Sequence, residues 1–133
     1  MIVCRSRAEL EKLRRVNQVV GTVLAELRAM VAPGVTTEDI DRVAEDLVRQ
    51  AGAEPAFKGY HGYPATVCAS INEQVVHGIP SARELVDGDI LSLDMGAKLD
   101  GFFGARLLPC VFMNVFGGVL STFFVPLIVV VST

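Results

Sequence analysis

Histidine is scarce in this sequence: His61 and His77 are the only two in 133 residues. Any metal centre would therefore have to lean on carboxylates, and hard oxygen ligands suit divalent ions such as Mn²⁺, Mg²⁺ or Fe²⁺. Cysteine is nearly as sparse. Cys4, Cys68 and Cys110 are odd in number, widely spaced and without a C-x-x-C pair; that excludes a thiolate zinc site and favours a reducing, cytoplasmic compartment. Clustered basic residues are missing too. The formal charge is −3, and Lys12, Arg14 and Arg15 stand among acidic neighbours as a solvated helix face, so no nucleic-acid surface is expected. No uninterrupted apolar run opens the chain, because Arg5, Arg7, Glu9 and Glu11 break it, and no secretory leader is expected. There is no internal repeat.

One absence is local. Every Lys, Arg, Asp and Glu lies within residues 1–106, and residues 107–133 carry no charge. This tail, "LLPCVFMNVFGGVLSTFFVPLIVVVST", exceeds the roughly 20 apolar residues that span a bilayer. Pro109, Asn114, Gly117, Gly118 and Pro126 nevertheless make it a poor continuous helix. The chain divides into residues 1–106 and an apolar tail, 107–133, of open structure.

What is present suits one domain with ample core, since 51% of residues are hydrophobic. Ser6 with Glu9 fits a capping box, and Leu10, Leu13, Val20, Leu24, Leu27 and Val31 recur on one helical face until Pro33-Gly34. Thr36 with Asp39 starts a second helix, whose Ile40, Val43, Ala44, Leu47 and Val48 form an amphipathic stripe closed by Ala51-Gly52. "EPAFKGYHGYPA" reads as a loop crowded with aromatic rings. "TVCASI" and "VVHGI" predict a hairpin joined by Asn72, Glu73 and Gln74, with His77 near the end of its second strand. Asp87-Gly88-Asp89 is a turn, "ILSLDM" a strand, and "GAKLDG" a further turn into Phe102-Phe103. Two helices followed by paired strands predict an α+β fold.

Asp94, held between Leu93 and Met95, is the candidate metal ligand, because a bare buried carboxylate needs a positive partner. A structural aspartate bonded to backbone N–H groups is the alternative. His77 could project from a strand end into a cleft and donate a hydrogen bond or proton, or be a satisfied edge histidine. Tyr60, His61 and Tyr63 could form an apolar pocket with a polar rim, or an ordinary aromatic cluster. Cys68 reads most simply as a small buried apolar residue. Asp87, Asp89 and Asp100 read as turn residues, and Glu73 as a solvated hairpin tip.

Taken together, "FKGYHGYPATVCASINEQVVHGIP" followed by "LVDGDILSLDMGAKLDGFFG" resembles the type I methionine aminopeptidases. "GYHGYP", "SINEQVVHGIP" and "DGDI" stand in that family's order and spacing, and the likeness ends near Gly104. The resemblance implies the N-terminal half of a pita-bread fold, the creatinase/aminopeptidase arrangement of two similar α/β halves. It implies a hydrolase that removes the initiator methionine from nascent proteins when the next residue is small, with ribosome association. Two divalent ions, with Co, Mn, Fe, Zn and Ni as the candidates, would activate the attacking water. By position, Asp94 matches the family's first bridging aspartate, and His77 the histidine that contacts substrate and stabilises the transition state. Phe57, Tyr60, Tyr63 and Cys68 match places around the methionine side-chain pocket.

The family's second aspartate is replaced here by Ala105, which cannot ligate. Its remaining ligands, one histidine and two glutamates, have no counterpart in residues 107–133. Binding of the metal pair is therefore in doubt, and the 133-residue chain is expected to be inactive. The break in composition is expected to reflect truncation, a reading-frame change or retained non-coding sequence. Two alternatives are a non-catalytic protein that binds Met-starting peptides through Tyr60, Tyr63 and His77, and a tail-anchored membrane protein. The apolar tail also predicts poor solubility.

Overall fold

Two capped helices build the first layer. The structure, a computed structural model, describes residues 4–74 and 77–112, with side chains as far as Arg106. Helix α1 (Arg7–Met30) opens on Ser6, whose Oγ accepts from the Glu9 backbone N–H while the Glu9 carboxylate accepts from the Ser6 N–H at 2.7 Å. That reciprocal capping box satisfies two otherwise orphaned donors. Val16, Val20, Val23, Leu24 and Leu27 form its buried stripe. Leu10, expected on the same face, is exposed, because the stripe begins only at Val16. Helix α2 (Thr37–Gln50) opens on Thr36, which accepts from the Asp39 N–H at 3.0 Å, and it buries Ile40, Ala44 and Val48.

The second layer is an antiparallel sheet of β1 (Glu54–Pro55), β2 (Val67–Ile71), β3 (Ile90–Leu99) and β4 (Phe102–Phe112). Strand β3 is central: β1 and β2 pair along one of its edges and β4 along the other. Leu91, Leu93, Met95 and Ala97 alternate with Ser92, Asp94, Gly96 and Lys98, so the two sets face opposite sides of the sheet. The first set is fully buried with Val67, Ala69 and Ile71 beneath both helices. Burying each larger side chain of this kind stabilises by about 1.5–3 kcal/mol. The helices cover one face; the second set looks out from the other. The result is the expected α+β fold.

Two local expectations are corrected. The hairpin between "TVCASI" and "VVHGI" is not formed among the described residues: β2 takes its ladder from β3, and residues 77–80 are not strand. The backbone of His77 lies in the left-handed region at φ 46, and the Gly78 N–H is donated to the Ser70 side chain rather than to a strand carbonyl. Val75 and Val76, also expected in that strand, lie outside the described residues. "GAKLDG" is not all turn either. Gly96–Leu99 continue β3, and the chain reverses only at Asp100 and Gly101, both at positive φ (51 and 80) as a two-residue type I′ turn requires.

Strand β4 runs on to Phe112, past the compositional break after Arg106. Its register with β3 shifts between Leu91 and Leu93, on the stretch of β4 that contains Pro109. A proline has no N–H for the ladder and is tolerated at such irregularities. The rest of the expected tail, residues 113–133, lies outside the described residues. Among the described residues no helix is long and apolar enough to cross a membrane.

Candidate active site

The open face of the sheet carries the polar side chains of β3. Asp94 is there, half-buried, with Cys68 of β2 and Leu107 of β4 as its register partners. Cys68 therefore shares its face. Burial pushes the Asp94 carboxyl above its usual value, and positive charge on His77 pulls it back down. Neighbouring backbone N–H groups in a central strand are committed to the ladder, and the side chain makes no hydrogen bond or salt bridge among the described residues. That weighs against the alternative of a structural aspartate bonded to backbone, and leaves the carboxylate available to a ligand.

Cys68 is only 5% exposed, and its Sγ lies 3.5 Å from Nδ1 of His77. Burial pushes the thiol up, a hydrogen bond with Tyr63 opposes this, and the negative charges of Asp94 and Asp41 reinforce it. The sulfur is thus a neutral, compact wall. Burial likewise pushes the Tyr63 phenol up, aided by Cys68, Asp41 and Asp94. Its one hydroxyl proton is shared between the Val67 carbonyl at 3.0 Å and that of Gly78 at 3.3 Å. Phe57 lies across β3 at Gly96, where a Cβ would come within 2.8 Å of its ring. Only glycine leaves room for that ring on the sheet.

These residues meet. Phe57, Tyr60, Tyr63, Cys68, His77 and Ile79 line one open cleft of about 560 Å³. Tyr60 and Ile79 form exposed lips, and the Tyr60 and His61 rings meet edge-to-face at 4.3 Å. Cys68 is the link between this cleft and Asp94, since it lines the one and faces the other.

Ala105 of β4 is paired with Gly96. Its neighbours point the other way: a Cβ on Gly104 would meet Asn17 and Val16 of α1 at 3.1 Å, and the Arg106 guanidinium approaches Gly21. Position 105 therefore presents its side chain on the Asp94 face, but with a methyl group. Among the described residues no group of three or more His, Cys, Asp or Glu side chains is arranged to hold a metal ion.

The family model described as Metallopeptidase family M24 matches residues 11–105. The chain belongs to that family. Over 104 residues it is 44% identical to methionine aminopeptidase 1 of Bacillus subtilis, covering 78% of this chain and 42% of the relative. Over 105 residues it is 50% identical to the methionine aminopeptidase of Clostridium acetobutylicum, again covering 78% and 42%. The crystal structure of methionine aminopeptidase from Rickettsia prowazekii superposes with a TM-score of 0.82 at 30% identity, covering 86% of this chain and 46% of that one. The chain thus spans less than half the length of the relatives it matches. Its described part has the fold of the N-terminal half of the pita-bread arrangement.

A metallopeptidase family implies a divalent metal. The described donor set does not fit a metal pair, because Ala105 adds no donor beside Asp94 and Glu54, also on the open face, lies opposite Lys98 and pairs with it.

Several contributors were not legible as site residues. Ile79 was hidden inside a segment read as strand. Asp41 of α2 accepts from the backbone N–H groups of Thr66 and Val67 at 2.8 and 2.9 Å, pinning the start of β2, a contact 25 residues away in sequence. Ser70 reads as an ordinary strand serine, yet it receives the Gly78 N–H at 3.0 Å. The G-I-P that follows His77 was the only available signal.

Proposed function

We propose that this chain carries the methionine-binding part of a methionine aminopeptidase site, together with one carboxylate of its metal centre. The carrying observation is the single cleft that gathers Phe57, Tyr60, Tyr63, Cys68 and His77 beside Asp94. An unbranched thioether side chain suits a pocket walled by aromatic rings and a neutral sulfur. In this reading the occupant is the N-terminal Met of a nascent peptide, His77 at the lip contacts the peptide next to the scissile bond, and Asp94 is the metal ligand. Cytoplasmic location and encounter with substrate at the ribosome belong to the same reading.

The same geometry argues that the 133-residue chain does not hydrolyse peptides. Two metal ions, drawn from Co, Mn, Fe, Zn or Ni, would hold the attacking water, and Asp94 alone cannot fix them. We read the loss of all charge after Arg106 as a change of reading frame. Translating the transcript across codons 100–133 in all frames tests this: a frame restoring an aspartate at position 105 supports it, and the apolar tail in every intact transcript overturns it.

The functional test is binding. The chain titrated with Met-Ala-Ser and Ala-Ala-Ser, followed by NMR, should bind the methionine peptide selectively at millimolar concentration and leave it uncleaved with Co²⁺ or Mn²⁺ added. Equal response to both peptides would reject the pocket; cleavage would reject the assignment of inactivity.

A further inference from the structure

His77 is an exposed side chain on a backbone that an ordinary residue avoids, at φ 46. Such a conformation persists only where the surroundings over-determine it. The next residue provides the restraint. Gly78 is buried, its N–H donates to Ser70 Oγ at 3.0 Å, and its carbonyl accepts from the Ala69 N–H at 2.8 Å and from Tyr63 Oη at 3.3 Å. The fit is tight, since a Cβ on Gly78 would lie 2.3 Å from the Ala69 carbonyl oxygen. Both peptide units that flank Gly78 are therefore held, one by the Ser70 side chain and the other by Tyr63 and strand β2, immediately after the histidine that touches Cys68.

We infer that Ser70 and Tyr63 are positioning residues for His77: by clasping the backbone on either side of the Gly78 Cα they hold the imidazole against Cys68 at the mouth of the cleft. Ser70 does not line the cleft, so its influence on the site runs through the backbone of Gly78. Tyr63 has two separable roles, its ring as a wall of the pocket and its hydroxyl as half of the clasp. The importance of this placement for peptide chemistry rests on the proposed function, whereas the placement itself does not.

The full chain tests it by two readouts that global stability does not mimic: the NOE between the His77 ring and the Cys68 β-protons, and the alkylation rate of Cys68 resolved by peptide mass from Cys4 and Cys110. Ser70→Ala and Tyr63→Phe should each abolish the NOE in a chain that still melts cooperatively, and Ser70→Ala should raise Cys68 labelling about tenfold, the size expected when one buried hydrogen bond is lost. Ser70→Thr, which keeps the hydroxyl, should restore both. If Ser70→Ala does not fold, Tyr63→Phe decides alone. An intact NOE in a folded Tyr63→Phe variant overturns the inference. A parent chain that binds no methionine peptide but loses the NOE in the variants rejects the proposed function and supports the clasp.

Discussion

The two faces of β3 differ in how completely they are finished. On one, Leu91, Leu93, Met95 and Ala97 are fully buried beneath two helices that this chain supplies itself. On the other, Ser92, Asp94, Lys98 and the neighbouring Ala105 are only partly covered. The same ten-residue strand thus serves a closed core and an open site. The first is sealed by side chains within this chain, whereas the second leaves Asp94 half-buried beside an open cleft. A family match over residues 11–105 therefore certifies the core more firmly than the reaction.

The largest effect should come from the closed face. Leu93→Ala removes a fully buried side chain and should destabilise by about 2–5 kcal/mol in urea denaturation. A loss below about 1 kcal/mol would mean that the helices do not seal this face.

The open face is tested by gain rather than loss. Ala105→Asp should place a second carboxylate beside Asp94 and tighten Mn²⁺ binding by at least about tenfold, or ~1.4 kcal/mol, in calorimetric titration. Unchanged affinity would show that position 105 does not share the Asp94 face in solution.

Two aspartates on this strand region sharpen the contrast by titrating in opposite senses. Asp89, 4% exposed, is held below the usual carboxylate range by the Val86 N–H, then by Asn72 and the charge of Arg83. Its stabilisation is present above the unfolded carboxylate value of about 3.9 and lost as pH falls through the lower folded value. Asp94 is raised by burial, so its native form holds the proton more tightly. It favours folding at low pH, and this contribution fades as pH rises from about 3.9 through the raised value. Stability profiles over this range should therefore lose their acid limb in Asp89→Asn and their opposing limb in Asp94→Asn. Identical profiles for the two variants would erase the distinction.

The smallest effect belongs to Lys98→Ala. It removes an exposed cation 6.0 Å from the Phe103 ring and a loose ion pair to Glu54, and should change stability by no more than about 0.5 kcal/mol. A larger change would mean that the open face is packed more tightly than its exposure indicates.

The closed face was also the legible one. Helix caps at Ser6 and Thr36 and the stripe through Ile40, Ala44 and Val48 depend on residues three to eight apart, so local pattern sufficed. Strand partnership was not legible. "VVHGI" looks like a strand beside "TVCASI", but pairing with the leucine-rich β3 buries more apolar surface, and the backbone of His77 turns away from the ladder. Asp94 stood out because a carboxylate between apolar neighbours is conspicuous, and Phe57, Tyr60, Tyr63 and Cys68 because their motif resembles a family. Asp41 and Ser70 act through single long-range contacts to backbone groups, which leave no periodic trace in a sequence.

The Asp100–Gly101 turn is in effect a length gauge. With two residues at the reversal, Leu99 faces Phe102 and Gly96 faces Ala105, which places positions 94 and 105 on one side of the hairpin. A chain with one residue more at this point, and no compensating bulge, would turn position 104 outward and position 105 toward α1. Restoring a carboxylate at 105 can therefore rebuild a shared site only while the reversal keeps its length. Insertions at positions 100 and 101 should therefore separate position 105 from the Asp94 face as surely as a substitution would alter it.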